Sequence, residues 1–311
     1  MADDLLTVAD FLADKLDVAD VEVSDLLNDA PFFAGLPVVE SSNGTTHKYP
    51  KETGAPVVGF RAENAGRDLD HSEDGLVTVN LKILDFSWGV DKAVADAWMR
   101  GGPEALIARE GRRHIRAAMY KGEEQYIQGT DAEASGFSGF ADATGLDALA
   151  DEMVLDAGGT GSNIFTSVYA VREGEDDVVG VVNGEGDGMM LGETIVQSFT
   201  DGSGKSYPAY YTPGCTWLGL QIGGARSVGR IANLNDTDAP LTDDLIYQLL
   251  ELFPSSRQPT KLLMNRQSLR QLRASRTATN VTGAPAPRPT EVDGIPIQSV
   301  ESISKIEAAL S

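Results

Sequence analysis

The segment between Gly101 and Gly129 predicts one long helix, and it constrains the fold more than any other part of the chain. Proline stands at the first helical position in Gly101-Gly102-Pro103, and Gly129 is a stop signal. About 26 residues at roughly 1.5 Å each give a rod of about 39 Å. Its apolar stripe consists of Ile107, Gly111, Ile115, Ala118, Met119, Gly122 and Tyr126. Because each glycine inside a helix costs about 1 kcal/mol relative to alanine, the two in the stripe indicate a close approach. We expect the helix to pack over a sheet.

Residues 41–91 have the pattern of strands and turns. Alternating or β-prone residues predict strands at 45–49, 57–61 and 76–83. Residues 62–75 between them are nearly devoid of large apolar side chains. A long two-stranded ribbon with such a polar centre has little core of its own, so a neighbouring subunit is a natural support.

Residues 1–30 contain nine acidic residues and one basic residue. Leu5, Val8, Leu12 and Leu16 recur at spacings of three and four, which predicts one face of an amphipathic helix. Two interpretations stay open: an ordinary helix packed within the subunit, or an arm whose apolar stripe contacts a neighbouring subunit.

The remainder divides into a β-rich segment at 131–240 and an α/β tail at 241–311. Residues 131–201 carry fifteen acidic residues and one basic residue, Arg172. Strands are predicted at 163–171, 178–182, 217–221 and 227–232. In the tail, helices are predicted at 243–253, with Thr242 as cap, and at 266–274, and strands at 261–264 and 295–300.

No motif specifies an enzyme. Residues 202–206 resemble half of a phosphate-binding loop, but Phe199 and Pro208 break the pattern, which favours a turn between two strands. Residues 184–188 are glycine-rich without a surrounding βαβ unit and predict a loop. Residues 235–238 could hold at most a weak cation, and Cys215 is typical of a small core residue. We therefore assign no catalytic, cofactor-binding or metal-binding residue, and expect no cofactor.

Charge excludes several classes of partner. The chain has 47 acidic and 25 basic residues, a net charge of −22, so strong binding to nucleic acid or to an anionic membrane is disfavoured. No window offers eighteen consecutive apolar residues, and Met1-Ala2-Asp3-Asp4 lacks the positive start of a signal peptide. We expect a protein made in a cytoplasm, with no membrane partner.

Arginines cluster near the C-terminus. On the helix predicted to begin at Arg266, residues Arg270 and Arg273 share its face. The acidic stretch at 131–201 would complement this face, which makes a contact between subunits a hypothesis.

Several short motifs follow one another along residues 40–300. They are Phe60-Arg61-Ala62-Glu63-Asn64, Leu81-Lys82-Ile83-Leu84, Val90-Asp91, Gly136-Phe137-Ser138-Gly139-Phe140, the stretch 166–172, Trp217-Leu218-Gly219-Leu220, Arg230-Ile231-Ala232-Asn233, Leu263-Met264-Asn265-Arg266 and Gly294-Ile295-Pro296-Ile297. In this order they resemble the major capsid proteins of tailed bacteriophages with the HK-ninety-seven-like (Johnson) fold, in the branch typified by phage epsilon-fifteen.

The resemblance implies an α+β fold in five parts. These are an N-terminal arm at 1–42, an extended β-hairpin loop at 43–90, the spine helix of the peripheral domain at 91–130 over a β-sheet, a β-rich peripheral or axial segment at 131–240, and an α/β axial domain at 241–311. It implies no enzyme but a subunit that self-assembles, as hexamers and pentamers, into the icosahedral head around double-stranded DNA.

The resemblance also implies partners and a location. They are a separate scaffolding protein, since no long scaffold-like segment precedes the arm, a portal, a decoration or cement protein, and packaged DNA that is contacted weakly. The virion would be assembled in the host cytoplasm. Candidate inter-subunit residues are Leu5, Val8, Leu12, Leu16, Phe60, Arg61, Arg270 and Arg273. Two other functions stay open: an encapsulin-type cellular compartment, and a soluble β-rich hydrolase.

Overall fold

The computed structural model describes residues 30–54, 57–68, 71, 73–99, 101–142, 150–183, 189–224, 226–280 and 284–309. The predicted arm helix, with Leu5, Val8, Leu12 and Leu16, and the predicted loop at 184–188 lie outside the described residues.

The described helices are few and one of them dominates. They are α1 (Pro31–Gly35), α2 (Lys92–Asp96), α3 (Gly102–Gln128), α4 (Ala150–Met153), α5 (Asp243–Glu251) and α6 (Arg266–Ala278). Helix α3 confirms the predicted long helix with its proline start and Gly129 stop. The Thr242 hydroxyl accepts a hydrogen bond from the Leu245 N–H at 3.3 Å, so the predicted cap of α5 is also confirmed.

Strands make up most of the remaining ordered chain. They are β1 (Val38–Glu40), β2 (Thr46–Gly54), β3 (Glu73–Asn80), β4 (Lys82–Asp85), β5 (Trp88–Asp91), β6 (Val154–Asp156), β7 (Thr166–Val171), β8 (Val178–Val182), β9 (Met189–Leu191), β10 (Ile195–Thr200), β11 (Ser206–Thr212), β12 (Gly214–Ile222), β13 (Val228–Leu234), β14 (Lys261–Met264), β15 (Glu291–Val292) and β16 (Ile295–Ser299).

The strands form three sheets and a separate hairpin. Sheet I has the order β1-β8-β12-β4, with β9 also paired to β12; sheet II has the order β10-β11-β5; sheet III has the order β15-β16-β14-β7-β13-β6. The hairpin pairs β2 with β3 in antiparallel register. The segment 131–240 therefore supplies strands to all three sheets, because β8, β9 and β12 join sheet I, β10 and β11 join sheet II, and β6, β7 and β13 join sheet III.

Two apolar cores lie on opposite faces of sheet III. Tyr169 and Val171 of β7 belong to the core around α1, α3 and sheet I. Val168 and Ala170, with the opposite orientation on the same strand, belong to the core under α5 and α6. Every residue of β7 is buried as a result. The predicted helix over a sheet and the predicted α/β tail are both present and share this strand.

The prediction of a strand at 57–61 is wrong. The described residues there have no strand, because the opposite side of the loop offers them no partner backbone. Instead the Arg67 guanidinium donates to the carbonyl of Gly59 at 3.2 Å and to that of Val57, and Arg61 donates to the carbonyl of Ala65 at 3.0 Å. Arginine side chains thus satisfy carbonyls that a strand partner would otherwise take.

The strand predicted at 76–83 is divided in two. Strand β3 begins three residues earlier and ends at Asn80, whereas β4 begins at Lys82 and joins sheet I. Leu81 between them is buried, and its N–H donates to the Thr45 carbonyl at 2.9 Å. The break turns the ribbon away from the body of the subunit.

The turn predicted at residues 202–206 is confirmed as the connection between β10 and β11. Asp201 accepts hydrogen bonds from the N–H groups of Ser203 and Lys205, at 2.9 and 2.8 Å, which closes the turn. No helix follows Lys205, so the phosphate-loop interpretation is excluded.

Candidate functional site

Helix α3 is held close to its neighbours by the two glycines of its buried stripe. A Cβ at Gly111 would lie 2.7 Å from the indole ring of Trp88, and a Cβ at Gly122 would lie 3.1 Å from the ring of Phe33. The predicted close approach is confirmed, and the approaching groups are the Trp88 ring on strand β5 of sheet II and the Phe33 ring on α1.

A buried carboxylate joins α3 to the start of α1. Glu123 has no exposed surface. Its Oε2 accepts from the N–H groups of Phe32 and Phe33 at 2.9 and 3.2 Å, and its Oε1 accepts from the Ser302 hydroxyl at 2.9 Å. Burial raises the pKa of the Glu123 carboxyl, and these three hydrogen bonds oppose the shift. One side chain therefore connects the N-terminal segment, α3 and the C-terminal segment, which sequence reasoning missed because a lone glutamate on a helix gives no signal.

The turn after α3 folds back onto the last turns of the helix. The Phe140 and Ala141 N–H groups donate to the Tyr126 and Ile127 carbonyls at 3.0 and 2.7 Å. The Phe137 ring packs edge-on against Tyr126 with centroids 4.9 Å apart. The segment that contains the motif Gly136-Phe137-Ser138-Gly139-Phe140 is therefore hydrogen-bonded to the end of α3 and packed against it. We call this segment the clasp.

The hairpin leaves the body of the subunit soon after its base. Near that base, Tyr49 donates to the Ile222 carbonyl at 3.1 Å and His47 hydrogen-bonds to Gln221 at 2.7 Å. Beyond it, residues 57–68 are exposed throughout. Phe60 has 108% and Val58 83% relative exposure, so large apolar side chains project into solvent at the far end of the ribbon.

Sheet II has exposed apolar side chains on both of its faces. Ile195 of β10 and Tyr207 of β11 lie on one face and Val196 of β10 lies on the other, and all three are exposed. Strand β10 is also an edge strand, since its described partner is β11 alone. The sequence predicts strands on both sides of the turn, but nothing in it indicates that Ile195, Val196 and Tyr207 are left exposed.

The predicted arginine face is present on α6. Arg270 pairs with Asp236 at 2.6 Å and Arg266 pairs with Glu301 at 2.7 Å, both within the chain and both exposed. Arg273 donates to the Ala286 carbonyl at 2.8 Å. The contact of Arg270 and Arg273 with a neighbour's acidic stretch stays a prediction.

A buried ion pair holds the C-terminal segment on sheet III. Arg230 of β13 donates to Glu307 at 2.9 Å and to the Ser167 hydroxyl at 2.9 Å. Its guanidinium also lies over the Tyr169 ring, 5.6 Å from the centroid. Burial raises the pKa of Glu307, and Arg230 opposes that shift.

The polar loop at residues 235–238 forms hydrogen bonds within the chain. The Asn235 side-chain oxygen accepts from the N–H groups of Thr237, Asp238 and Ala239, at 2.9, 2.9 and 3.0 Å. Asp238 accepts from the Thr160 N–H at 3.0 Å. No group of three or more metal-ligating side chains occurs among the described residues. Cys215 lies on β12, where partial burial raises the pKa of its thiol.

A protein-family model now gives the identification. The model of major capsid protein GP7 matches residues 17–311. The chain belongs to the major capsid protein GP7 family. It is a subunit of the head shell of a tailed phage.

Solved capsid structures agree on the fold. The chain is similar to a structure of bacteriophage Epsilon15, with 21% identity, a TM-score of 0.65, and coverage of 100% of this chain and 98% of the other. It also matches the procapsid of bacteriophage JBD30, with 10% identity, a TM-score of 0.44, and coverage of 95% and 96%. An encapsulin from Synechococcus elongatus PCC 7942 matches at 11% identity and a TM-score of 0.42, over 66% and 88%. No curated protein matches the chain.

The family decides between the functions left open by the sequence. It confirms the expected fold, the head-shell function and the location in the virion, and it makes the protein a structural subunit that self-assembles. None of the helices in the described ranges has the length and apolar character of a membrane span.

Proposed function

We propose that the extended loop is a main contact between neighbouring subunits, through Phe60 and Arg61. The observation that carries this is the full exposure of Phe60 beside Val57 and Val58. A loop that binds nothing would be more soluble without these side chains, because exposed apolar clusters favour association. The loop is therefore suited to a neighbouring subunit's surface.

The Phe60→Asp variant should assemble poorly while its subunits stay folded. Truncating an anchor aromatic at an interface costs about 2 kcal/mol or more. We expect the fraction of subunits in shells, measured by sedimentation and negative-stain microscopy at fixed concentration, to fall at least about tenfold.

The matched control is Phe60→Leu, which keeps an apolar side chain at the same position and should keep most of the assembly. The urea midpoint of unassembled subunits should be unchanged in both variants, since Phe60 contacts solvent in the single subunit. Normal shell yield from Phe60→Asp would refute the proposal.

We further propose that the N-terminal arm contributes a second contact through Leu5, Val8, Leu12 and Leu16. The spacing of these residues supports an apolar face. We also propose that the β2–β3 ribbon is the extended loop and that α3 is the spine helix, which is supported by the length of α3 and by the exposure of residues 57–68. The proposed axial domain at 241–311 shares sheet III with β6, β7 and β13. Hexamers and pentamers are the proposed capsomers.

The remaining partners are proposals of the same kind. A separate scaffolding protein, a portal and a decoration protein would act during and after assembly, and packaged DNA would be held weakly because the chain carries −22. We propose no catalytic activity, which is supported by membership in a family of structural proteins. Co-expression with and without the neighbouring phage genes, followed by microscopy of shell size and regularity, tests the need for scaffold.

A further inference from the structure

A groove rich in arginine lies between α6, the first residue of α1 and residues from the stretch 288–301. The groove has a volume of 470 Å³. Its apolar lining comes from Pro31, Leu269 and Pro289, its basic lining from Arg266, Arg270, Arg273 and Arg288, and its remaining lining from Ser299 and the single acid Glu301. All four arginines are exposed. We call this the arginine groove.

The N-terminal segment enters the described structure at the wall of this groove. Pro31 lines the groove and Ala30 beside it is fully buried, so the described chain begins at the edge of the groove. Extended backbone covers about 3.3 Å per residue, so the eight residues 22–29 can reach about 26 Å. Pro31 itself lines this groove of 470 Å³, so eight residues are long enough to lie along it.

We propose that residues 22–29 of the same subunit pack into the arginine groove. This stretch reads Glu-Val-Ser-Asp-Leu-Leu-Asn-Asp, so Glu22, Asp25 and Asp29 can face arginines. Leu26 and Leu27, between those acids, match the apolar floor. Both the charge and the apolar pattern of the groove are thus complemented by the piece of chain tethered nearest to it.

Tethering favours this segment over a free polyanion such as DNA. A short flexible linker gives an effective concentration in the millimolar range. The whole chain, at −22, also repels nucleic acid. Arg266 and Arg270 are further balanced by Glu301 and Asp236, which leaves Arg273 and Arg288 as the groove's least compensated cations. Docking would cover Arg273 and Arg288, so these two cations would no longer be exposed to polyanions.

Protection of Glu22 from a glutamate-specific protease tests the docking. Glu22 is the one glutamate in residues 1–30, and the exposed Glu63 in the extended loop gives an internal control. In unassembled subunits at low salt, the double variant Arg273→Glu/Arg288→Glu should raise the cleavage rate at Glu22 about fivefold, from the loss of two exposed ion pairs. The rate at Glu63 should not change. High salt should raise the wild-type rate at Glu22 in the same way.

A charge swap separates pairing from general loosening. Adding Asp25→Arg and Asp29→Arg to the double variant should restore protection of Glu22. No restoration, or an unchanged Glu22 rate in the double variant, overturns the proposal. If the double variant instead loses retention by immobilised duplex DNA with an unchanged Glu22 rate, the groove is a nucleic-acid surface and the docking is refuted.

Cross-linking shows which subunit supplies the segment. With Cys215→Ser as background, cysteines at Ser24→Cys and Arg288→Cys should cross-link within one chain and give a monomer of altered mobility. A ladder of dimers and larger species would assign the segment to a neighbouring subunit and overturn the same-subunit proposal. Failure of Phe60→Asp to affect assembly would leave this result untouched, because the two experiments probe different surfaces.

Discussion

Gly139→Ala should leave the subunit unable to close the clasp on α3, and little soluble protein should be recovered. A Cβ at this position would lie 2.5 Å from the Gly129 nitrogen, 2.6 Å from the Gln125 carbonyl oxygen and 2.8 Å from the Tyr126 carbonyl oxygen. All three are backbone atoms of the helix end, which cannot rotate away as a side chain can. Overpacking of this kind costs about 3 kcal/mol or more.

The urea midpoint of unassembled subunits, together with soluble yield, measures the effect. Gly202→Ala is the matched control, because Gly202 lies in the β10–β11 turn with no atom within 4 Å of an added Cβ and no left-handed φ. The control should be neutral. Equal midpoints for the two variants would contradict the clasp.

Glu123→Leu should have the second large effect. The leucine would leave the Phe32 and Phe33 N–H groups buried without their acceptor, and the Ser302 hydroxyl would lose its partner. Each unsatisfied buried group costs about 1–3 kcal/mol, so we expect a loss of roughly 3 kcal/mol or more in the free energy of unfolding.

Glu123→Gln is the control for Glu123→Leu. Its amide oxygen can accept from both N–H groups, while its NH₂ faces a Ser302 hydroxyl that can turn to accept. The expected loss is about 1 kcal/mol. If the leucine variant were as stable as the glutamine variant, the carboxylate would not be the anchor of α1.

The same carboxylate should make stability depend on pH. Burial raises the pKa of Glu123 above its ordinary value, so the folded subunit binds more protons than the unfolded chain between those two pKa values. The free energy of unfolding therefore falls as pH rises through this window and is level above it. Glu173 and Glu307, whose pKa values burial also raises, add slopes of the same sign.

Urea midpoints across the weakly acidic range test this dependence. Carboxyls with lowered pKa values, such as those of Asp177 and Asp236, titrate below the window and do not mask it. Glu123→Gln should have a shallower decline than the wild type. An unchanged decline would show that Glu123 does not titrate in this window.

Elements that carry their own start and stop signals were predictable from the sequence. Pro103 and Gly129 define α3, Thr242 starts α5, and the apolar run of β8 is recovered at the same bounds, Val178–Val182. These signals are local, because caps and short apolar runs act within a few residues.

Features that depend on distant partners were not predictable. Residues 57–61 have strand composition but no neighbouring backbone, whereas β10 has a partner strand and still leaves Ile195 and Val196 exposed. Glu123 is one acid among many until α1 places two N–H groups against it, 91 and 90 residues away in the chain. Long-range pairing decides such cases, and no periodicity encodes it.

The burial of strand β7 on both faces limits which parts of the subunit can adjust to the curvature of a shell. Strand β7 has apolar packing against both of its faces, so a tilt of the elements in one core also moves those in the other. The proposed hexamers and pentamers would give the subunit two kinds of surroundings, and parts that are packed on one side only would then accommodate the difference. The ribbon, attached to the body by its base at Leu81, is such a part, and we expect the bending of the shell to be concentrated there.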